Sequence, residues 1–294
     1  MRRHPVISGI CLLTLVGLIF FAVIYGLGLF QGKNPLDIGE KVGVIPIEGI
    51  IGDAGDIIDQ INEFADSDGI RAVVLRIDTP GGSVAPSQEI YQAVQELRKK
   101  KKVVVSMGSI AASGGYLIAV AADRIVANPG TITGSISAVM HHANVEELLK
   151  KVGVRSSVIK SGKFKDIGSP VREMTEEERS LIQGIVDDIY DQFVRTISEN
   201  RKIPFPKMVE LADGRIFTGR QAKELGLIDD LGGLQDAVIL AGRLSGMKEK
   251  PETVYAIKKK MTLWRFLLEN MTSAVSEEIR RNSADLWGVQ YLLQ

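Results

Sequence analysis

The sequence predicts an α/β domain built on a largely parallel sheet. Strand-like runs of β-branched residues alternate with amphipathic helical segments from residue 42 to about residue 245. Two strand-like runs are followed directly by glycine-rich stretches, at residues 78–83 and 107–116. Such alternation is typical of domains whose parallel strands carry helices on the faces of the sheet.

In the first half of this region, strands are predicted where β-branched residues run together and helices where apolar residues recur at helical spacing. Pro46 indicates that the first strand lies at a sheet edge or ends there, because proline cannot donate to a ladder. In chain order we expect a strand at 42–47, a helix through 57–64, a strand at 71–77, a turn at 78–83, a helix through 90–97, a strand at 103–107 and a buried helix at 116–122.

The second half continues the pattern, with shorter elements. Residues 175–178 (TEEE) are a capping box, which opens a long amphipathic helix to about Asn200. Before it we expect strands at 124–127, 136–140 and 156–159 and a helix at 145–152. Apolar residues between Met261 and Gln294 predict further helices after the core.

The N-terminal region has the pattern of a membrane anchor. Residues 6–30 are 25 residues without a charge, about 37 Å as a helix, against a hydrocarbon core of about 30 Å. Residues 1–5 form a basic flank, which favours an N-terminus inside the cytoplasmic membrane and a remaining chain on the extracytoplasmic side. We therefore expect one transmembrane helix in contact with membrane lipid, followed by a linker at 31–41. A cleavable signal peptide is the alternative.

Charge and composition exclude some classes of function. Lys+Arg and Asp+Glu both number 36, so no general field attracts nucleic acid, and we expect no nucleic-acid partner. The basic run at 98–102 is interpreted as a solvated helix end. The single cysteine, Cys11, excludes an intrachain disulfide. We expect no metal and no cofactor.

Residues 107–116 (MGSIAASGGY) surround Ser113 with small residues at a predicted strand–helix junction. Such a junction lies at the edge of an α/β sheet where ligands bind. Backbone N–H groups at the helix start, with a second donor from Gly81–Gly82, can form an oxyanion hole. The alternative is that these glycines only permit close packing of helix on sheet.

A nucleophilic serine needs a base, and histidine is the usual one. His141 and His142 are adjacent, so they point to opposite sides of a strand, and a surface role is favoured. A lysine can serve if burial keeps it uncharged, which requires a pKa near 7–8 in place of about 10.4. Lys163 and Lys165 are the candidates, although two lysines in a loop are ordinary by themselves.

Four motifs follow one another in the chain: 78–82 (DTPGG), 108–116 (GSIAASGGY), 130–135 (GTITGS) and 161–166 (SGKFKD). Read together, they resemble bacterial signal peptide peptidase A in its short single-domain form, within the ClpP/crotonase-like superfamily. A later stretch, 212–229, also resembles that family, and the resemblance covers about residues 42–245. It implies a ClpP/crotonase-like protease domain over 42–245, followed by a C-terminal helical extension at 246–294.

Position by position, the resemblance assigns the site residues. It makes Ser113 the nucleophile and Lys165, rather than Lys163, the general base. It implies that the backbone N–H groups of Gly82 and Gly114 form the oxyanion hole and that Ser135 orients the lysine. Residues 78–79 are Asp-Thr where relatives often carry Asn-Ser, which leaves substrate contacts there open.

The resemblance also implies an activity. It is that of a membrane-anchored serine endopeptidase with a Ser/Lys dyad, which degrades signal peptides left after preprotein processing. It further implies a homo-oligomeric ring in which neighbouring subunits share active sites. Three alternatives remain: an NfeD-type membrane-bound ClpP-like protease, a crotonase-like acyl-CoA enzyme, and a catalytically silent membrane-anchored scaffold.

Overall fold

A computed structural model describes residues 14–20, 40–256 and 290–292. The chain divides into two units, Met1–Gly39 and Glu40–Gln294. In the first unit, residues 14–20 are helical. No helix within the described ranges is long and apolar enough to cross a membrane. The predicted anchor at 6–30 lies outside the described residues except for 14–20, so the transmembrane helix stays a prediction.

The described strands of the larger unit are β1 Lys41–Glu48, β2 Ile70–Thr79, β3 Gly81–Ser83, β4 Lys102–Ala112, β5 Arg124–Ala127, β6 Ile132–Gly134, β7 Ile216–Thr218, β8 Asp230–Leu231, β9 Glu252–Tyr255 and β10 Gln290–Leu292. Eight of them form one sheet in the order β7-β6-β4-β2-β1-β9, with β5 beside β4 and β8 beside β5. All pairs in this sheet are parallel except β6 with β7. The largely parallel sheet that the sequence predicts is therefore confirmed.

Helices cover both faces of the sheet. One face packs alternate strand residues such as Ile45 and Leu75 against most of the helices, and the other packs Val44 and Val74 against the helix Leu234–Leu244. This alternation follows from the two-residue period of a strand. The helices are α1 Gly55–Asp66, α2 Val84–Lys100, α3 Gly114–Ala119, α4 Glu146–Lys151, α5 Glu176–Arg201, α6 Phe205–Leu211, α7 Gly219–Glu224 and α8 Leu234–Leu244.

The long helix α5 begins where the capping box predicts. The Thr175 hydroxyl accepts from the Glu178 N–H at 3.2 Å, and the Glu178 carboxylate accepts from the Thr175 N–H at 2.9 Å. These two bonds satisfy backbone donors that have no acceptor within the helix. The predicted start of the helix is therefore confirmed.

Two predicted strands, 136–140 and 156–159, are wrong. The strand in the first region is β6, Ile132–Gly134, and the left-handed φ of +50° at Ser135 turns the chain away from the sheet. Residues 156–159 pair with no strand in the part of the chain that the structure describes. Ile159 is fully exposed, so its apolar neighbourhood does not pack on the core of its own chain.

The predicted turn at 78–83 is also corrected. Strand β2 continues to Thr79, and residues 81–83 form the short strand β3. The register moves from Ile77 opposite Met107 to Thr79 opposite Ala111, so β4 bulges opposite Asp78. The Asp78 carboxylate accepts from the Ile110 N–H at 3.1 Å. The carboxylate thus replaces the backbone acceptor that the Ile110 N–H lacks inside the bulge. Strand β4 therefore continues to Ala112, beyond its predicted end at residue 107.

The C-terminal region differs from the predicted helical extension at 246–294. Its described parts contain strands β9 and β10 and no helix; the remainder lies outside the described residues. Strand β9 forms because the edge of β1 from Lys41 to Val44 accepts it in parallel. Pro46 lies beyond that pairing, where β1 has only β2 beside it among the described strands, as its missing N–H requires.

Candidate active site

Ser113 lies at the junction between β4 and α3, in a strained backbone conformation. Its φ is +53° and its ψ is −115°, a combination that costs a residue with a side chain about 1–3 kcal/mol. Two bonds hold it: the Ser113 N–H donates to the Gly134 carbonyl at 2.8 Å, and the Ser113 carbonyl accepts from the Leu117 N–H at 2.9 Å. Strain that the surroundings enforce in this way is typical of functional positions.

The Ser113 hydroxyl is buried without a partner. The residue is 0% exposed, and its Oγ makes no hydrogen bond within the described residues. A buried unpaired hydroxyl costs about 1–3 kcal/mol. His141 and His142 are both exposed, and neither supplies the missing bond. The fold therefore leaves this oxygen free for a group that the described part of one chain does not provide.

Glycines surround the junction because no larger residue fits. A Cβ on Gly115 would lie 2.6 Å from the Thr79 Cγ2, and a Cβ on Gly82 would lie 2.2 Å from the Ile51 carbonyl oxygen. Helix α3 thus packs directly on the ends of β2 and β3. These glycines therefore do permit close packing of helix on sheet, which is the alternative role that the sequence suggests. The Ser113 hydroxyl beside them is nevertheless unpaired.

Two backbone N–H groups beside this junction are candidates for an oxyanion hole. Gly114 is the first residue of α3, so its N–H has no acceptor four residues earlier within the helix. Gly82 lies in β3, where Ile51 donates to the Gly81 carbonyl and accepts from the Ser83 N–H. Since successive residues of a strand face opposite edges, the Gly82 N–H points away from Ile51. Both groups have the chemistry that an oxyanion hole requires.

Ser135 is brought close to the same junction by strand β6. Residues Ala112 and Gly134 are register partners in the β4–β6 pair, and the Gly134 carbonyl binds the Ser113 N–H. Ser135 follows directly; it is buried, and its N–H donates to the Arg215 carbonyl at 2.8 Å. Sequence reasoning missed Gly134, whose φ of +88° lets β6 end at this point.

Lys165 lies in a turn, exposed to solvent. It is not bonded to Ser113, whose Oγ has no partner. Lys163, in contrast, is engaged: it forms an ion pair with Glu177, and its Nζ lies 5.2 Å from the centre of the Phe164 ring. The structure therefore brings together Ser113, Gly82, Gly114 and Ser135, but it does not bring Lys165 to them within one chain.

A network of charges fixes the segment that carries Lys165. Arg172 binds the Asp166 carboxylate at 2.9 Å and the Glu178 carboxylate at 2.5 Å, and Lys160 also pairs with Asp166. The hydrogen bond from Arg172 is the main cause that lowers the pKa of Glu178 to about 2. The same guanidinium and Lys160 hold the pKa of Asp166 well below its usual range. The turn is thereby attached to the start of α5.

Replacing Arg172 with methionine is expected to remove a pH-dependent part of the stability. Both carboxyl groups have lowered pKa values in the fold, so their contribution is present above their ordinary values of 4.5 and 3.8 and is lost as pH falls through the lowered values. Urea unfolding of both proteins at several pH values measures it. The stability difference should be constant above about pH 5 and shrink towards pH 2.

Arg179→Met is the matched control, because Arg179 lies seven residues further along, in α5, is largely exposed, and is as far as 3.9 Å from its partner Glu176. It should change stability little at any pH. A difference between wild type and Arg172→Met that did not vary between pH 5 and pH 2 would contradict the role of the network.

The chain is similar to Clp proteases over part of its length. The model of the Clp protease family matches residues 46–143, and with the observed sheet and its flanking helices it confirms the expected ClpP-like α/β fold. A mutant ClpP1 from Listeria monocytogenes aligns with a TM-score of 0.47 and 17% identity, over 66% of this chain and 94% of that chain.

Three proteins with similar sequences are also named as proteases. A candidate protease of Synechocystis sp. is 52% identical over 60% of this chain and 64% of its own length. The chloroplastic serine protease SPPA of Arabidopsis thaliana is 32% identical over 85% of this chain and 38% of its own length. Protease 4 of Salmonella typhi is 34% identical over 83% of this chain and 40% of its own length. The chain thus spans less than two thirds of each of these relatives.

The model of Peptidase family S49 matches residues 95–248, just over half of the chain. This range contains Ser113, Ser135 and Lys165, together with three of the four motifs on which the resemblance to signal peptide peptidase A rests. That resemblance is therefore confirmed, and the chain belongs to peptidase family S49.

Proposed function

We propose that the chain is a serine endopeptidase in which Ser113 is the nucleophile and Lys165 is the general base. The observation that carries this proposal is the Ser113 hydroxyl, which is buried and unpaired on a backbone held at a φ of +53°. A fold selected for stability alone gains nothing from either feature. The relative from Arabidopsis thaliana is named a serine protease, which agrees with this role.

The reaction follows from the groups at the junction. An uncharged Lys165 amine takes the proton of the Ser113 hydroxyl as Oγ attacks the peptide carbonyl. The negative charge that forms on the carbonyl oxygen is stabilised by the N–H groups of Gly82 and Gly114. The lysine then gives its proton to the leaving amine, and the same lysine activates the water that hydrolyses the ester. Ser135, buried beside the junction, orients the lysine.

Two subunits are needed to complete this site. Within one chain Lys165 is exposed, and a lysine acts as a base only where water is removed from it. The segment before it carries unusually exposed apolar side chains, which a second copy can cover. We therefore propose a homo-oligomeric ring in which this segment packs on a neighbour and delivers Lys165 to the neighbour's Ser113. The exposed apolar residues are Leu148, Val152, Val154, Val158 and Ile159.

The substrates we propose are signal peptides left in the cytoplasmic membrane after preprotein processing. The support is the uncharged run at residues 6–30, which is long enough to anchor the chain with its protease domain on the extracytoplasmic side. The resemblance to signal peptide peptidase A agrees with this substrate class. An anchored ring receives apolar peptides directly from the membrane.

Peptide hydrolysis by the purified full-length chain in detergent micelles tests the proposal. We expect cleavage of casein and of a synthetic signal peptide, inhibition by a fluorophosphonate, and an adduct that mass spectrometry locates on Ser113. An acyl-CoA thioester should not be hydrolysed. Turnover of the thioester without cleavage of either peptide would instead support the crotonase-like alternative, and absence of both activities would support a silent scaffold.

A further inference from the structure

Thr79 contacts both of the glycine-bearing segments that form the candidate site. It is the last residue of β2 and is completely buried. Its Cγ2 methyl lies against Gly115 in α3, where a Cβ on that glycine would be 2.6 Å from the methyl. Its hydroxyl is bonded to the turn that leads into β3. One side chain thus touches the segment of Gly82 and the segment of Gly114.

The hydroxyl of Thr79 holds the turn between β2 and β3. It donates to the Gly49 carbonyl, in the loop after β1, and accepts from the Gly81 N–H at 3.0 Å. The Gly81 carbonyl accepts from the Ile51 N–H at 2.9 Å, so both backbone polar groups of Gly81 are bonded. Gly81 has a φ of +109° and no side chain with which to hold that conformation. The two bonds therefore fix the place from which Gly82 begins.

We propose that Thr79 is a positioning residue, which sets the distance between the two N–H groups of the oxyanion hole. Such donors stabilise the developing charge only when both point at the place that the oxygen reaches in the transition state. One donor, Gly82, follows the turn that the hydroxyl holds. The other, Gly114, precedes the glycine on which the methyl packs. This inference rests on the proposed function, because it takes these two N–H groups as the oxyanion donors.

Replacing Thr79 with valine tests the hydroxyl, since valine has nearly the same shape without it. The Gly81 N–H and the Gly49 carbonyl then lose their partner, and the turn can shift. We expect kcat for peptide hydrolysis to fall by about 10²-fold, as a misplacement of about 1 Å can cause. KM should stay within about threefold of wild type, because the oxyanion exists only in the transition state. Thr79→Ser keeps the hydroxyl and its bonds, so kcat should stay within about fivefold.

Labelling with a fluorophosphonate distinguishes a misplaced oxyanion hole from a partly unfolded protein. Attack of Ser113 on this reagent also places negative charge on an oxygen, so the same donors act in it. Thr79→Val should be labelled to the same final extent as wild type, but more slowly by about the factor that kcat loses. A reduced final extent at an unchanged rate would instead show loss of folded protein and contradict the positioning role.

Thr131→Val is the matched control for loss of a buried hydroxyl. Thr131 is also a buried threonine, and its hydroxyl donates to a backbone carbonyl, that of Gly108, at 2.7 Å. Its loss should lower stability, as loss of the Thr79 hydroxyl does, because a buried carbonyl is left without its partner. Neither the turn at Gly81 nor Gly115 contacts it through a printed bond, so kcat should stay within about threefold of wild type.

A pair of substitutions tests the contact between the Thr79 methyl and α3. Gly115→Ala places a Cβ 2.6 Å from the Thr79 Cγ2, which is closer than two carbons approach. Helix α3 should then shift, and kcat should fall at least about tenfold. The next nearest atoms to this Cβ lie at 3.4 Å, an ordinary contact. Thr79→Ser, which removes the methyl, should therefore restore the Gly115→Ala protein to within about fivefold of Thr79→Ser alone.

The outcomes separate this inference from the proposed function. A Thr79→Val protein with the kcat of wild type would overturn the role of the hydroxyl. A double variant as slow as Gly115→Ala alone would overturn the role of the methyl. A wild-type protein that cleaves no peptide and is labelled at no serine would reject the proposed function, and the oxyanion hole with it.

Discussion

Replacing Ser113 with alanine is expected to lower kcat for peptide hydrolysis by at least about 10⁴-fold, because removal of a serine nucleophile leaves only the contribution of the oxyanion hole and of binding. KM should change little, since the hydroxyl forms its bond to the substrate only in the chemical step. Initial rates with a fluorogenic peptide over a range of concentrations separate the two constants.

Stability measurements distinguish loss of the nucleophile from loss of the fold. The Ser113 Oγ is buried and unpaired, so Ser113→Ala should not lower the free energy of unfolding. Ser113→Gly should raise it by up to about 1 kcal/mol, because glycine accepts a φ of +53° without strain. Ser109 is an exposed serine in β4, four residues before Ser113, and Ser109→Ala should keep wild-type activity. An active Ser113→Ala protein would refute the assigned nucleophile.

Much of the sheet was predictable, because its central strands are long and buried. Residues 71–77 and 103–107 are β-branched runs that read as strands from composition alone. The short strands β3, β6 and β10 were not predictable in this way. Their pairing depends on positions distant in sequence, such as Ala112 opposite Gly134, and a strand of three residues is too short to show a periodicity.

The site was predictable up to the point where a second chain is needed. Small residues around Ser113 indicated the junction, and the clashes that a Cβ on Gly82 or Gly115 would cause explain them. Residues 156–159 (SSVI) are predicted as a strand, and they end in two β-branched apolar residues. Apolar residues give the same sequence pattern whether they join the sheet of their own chain or face a partner. Ile159 is fully exposed, so it does not join the sheet.

Replacing Lys165 with methionine is expected to lower kcat by about 10³-fold or more, since general-base catalysis contributes about 10²–10⁴-fold. Methionine is chosen because it carries no charge. Lys163→Met is the matched control, two residues away in the same turn. Lys163 pairs with Glu177 at the surface, and loss of such a pair costs little, so its activity should stay within about twofold of wild type. The reverse result would assign Lys163 as the base.

Mixed rings of Ser113→Ala and Lys165→Met chains test whether an active site is shared between two subunits or lies within one chain. If Ser113 of one subunit works with Lys165 of the next, co-expression of Ser113→Ala and Lys165→Met chains in equal amounts leaves some sites with both groups intact. Random assembly makes each group intact with a probability of one half, so activity should recover to about a quarter of wild type. A site built within one chain recovers none, because every chain then lacks one of its two groups. Recovery would therefore show that the exposure of Lys165 in the single chain is the state before assembly, and that the neighbouring subunit removes the water from the amine.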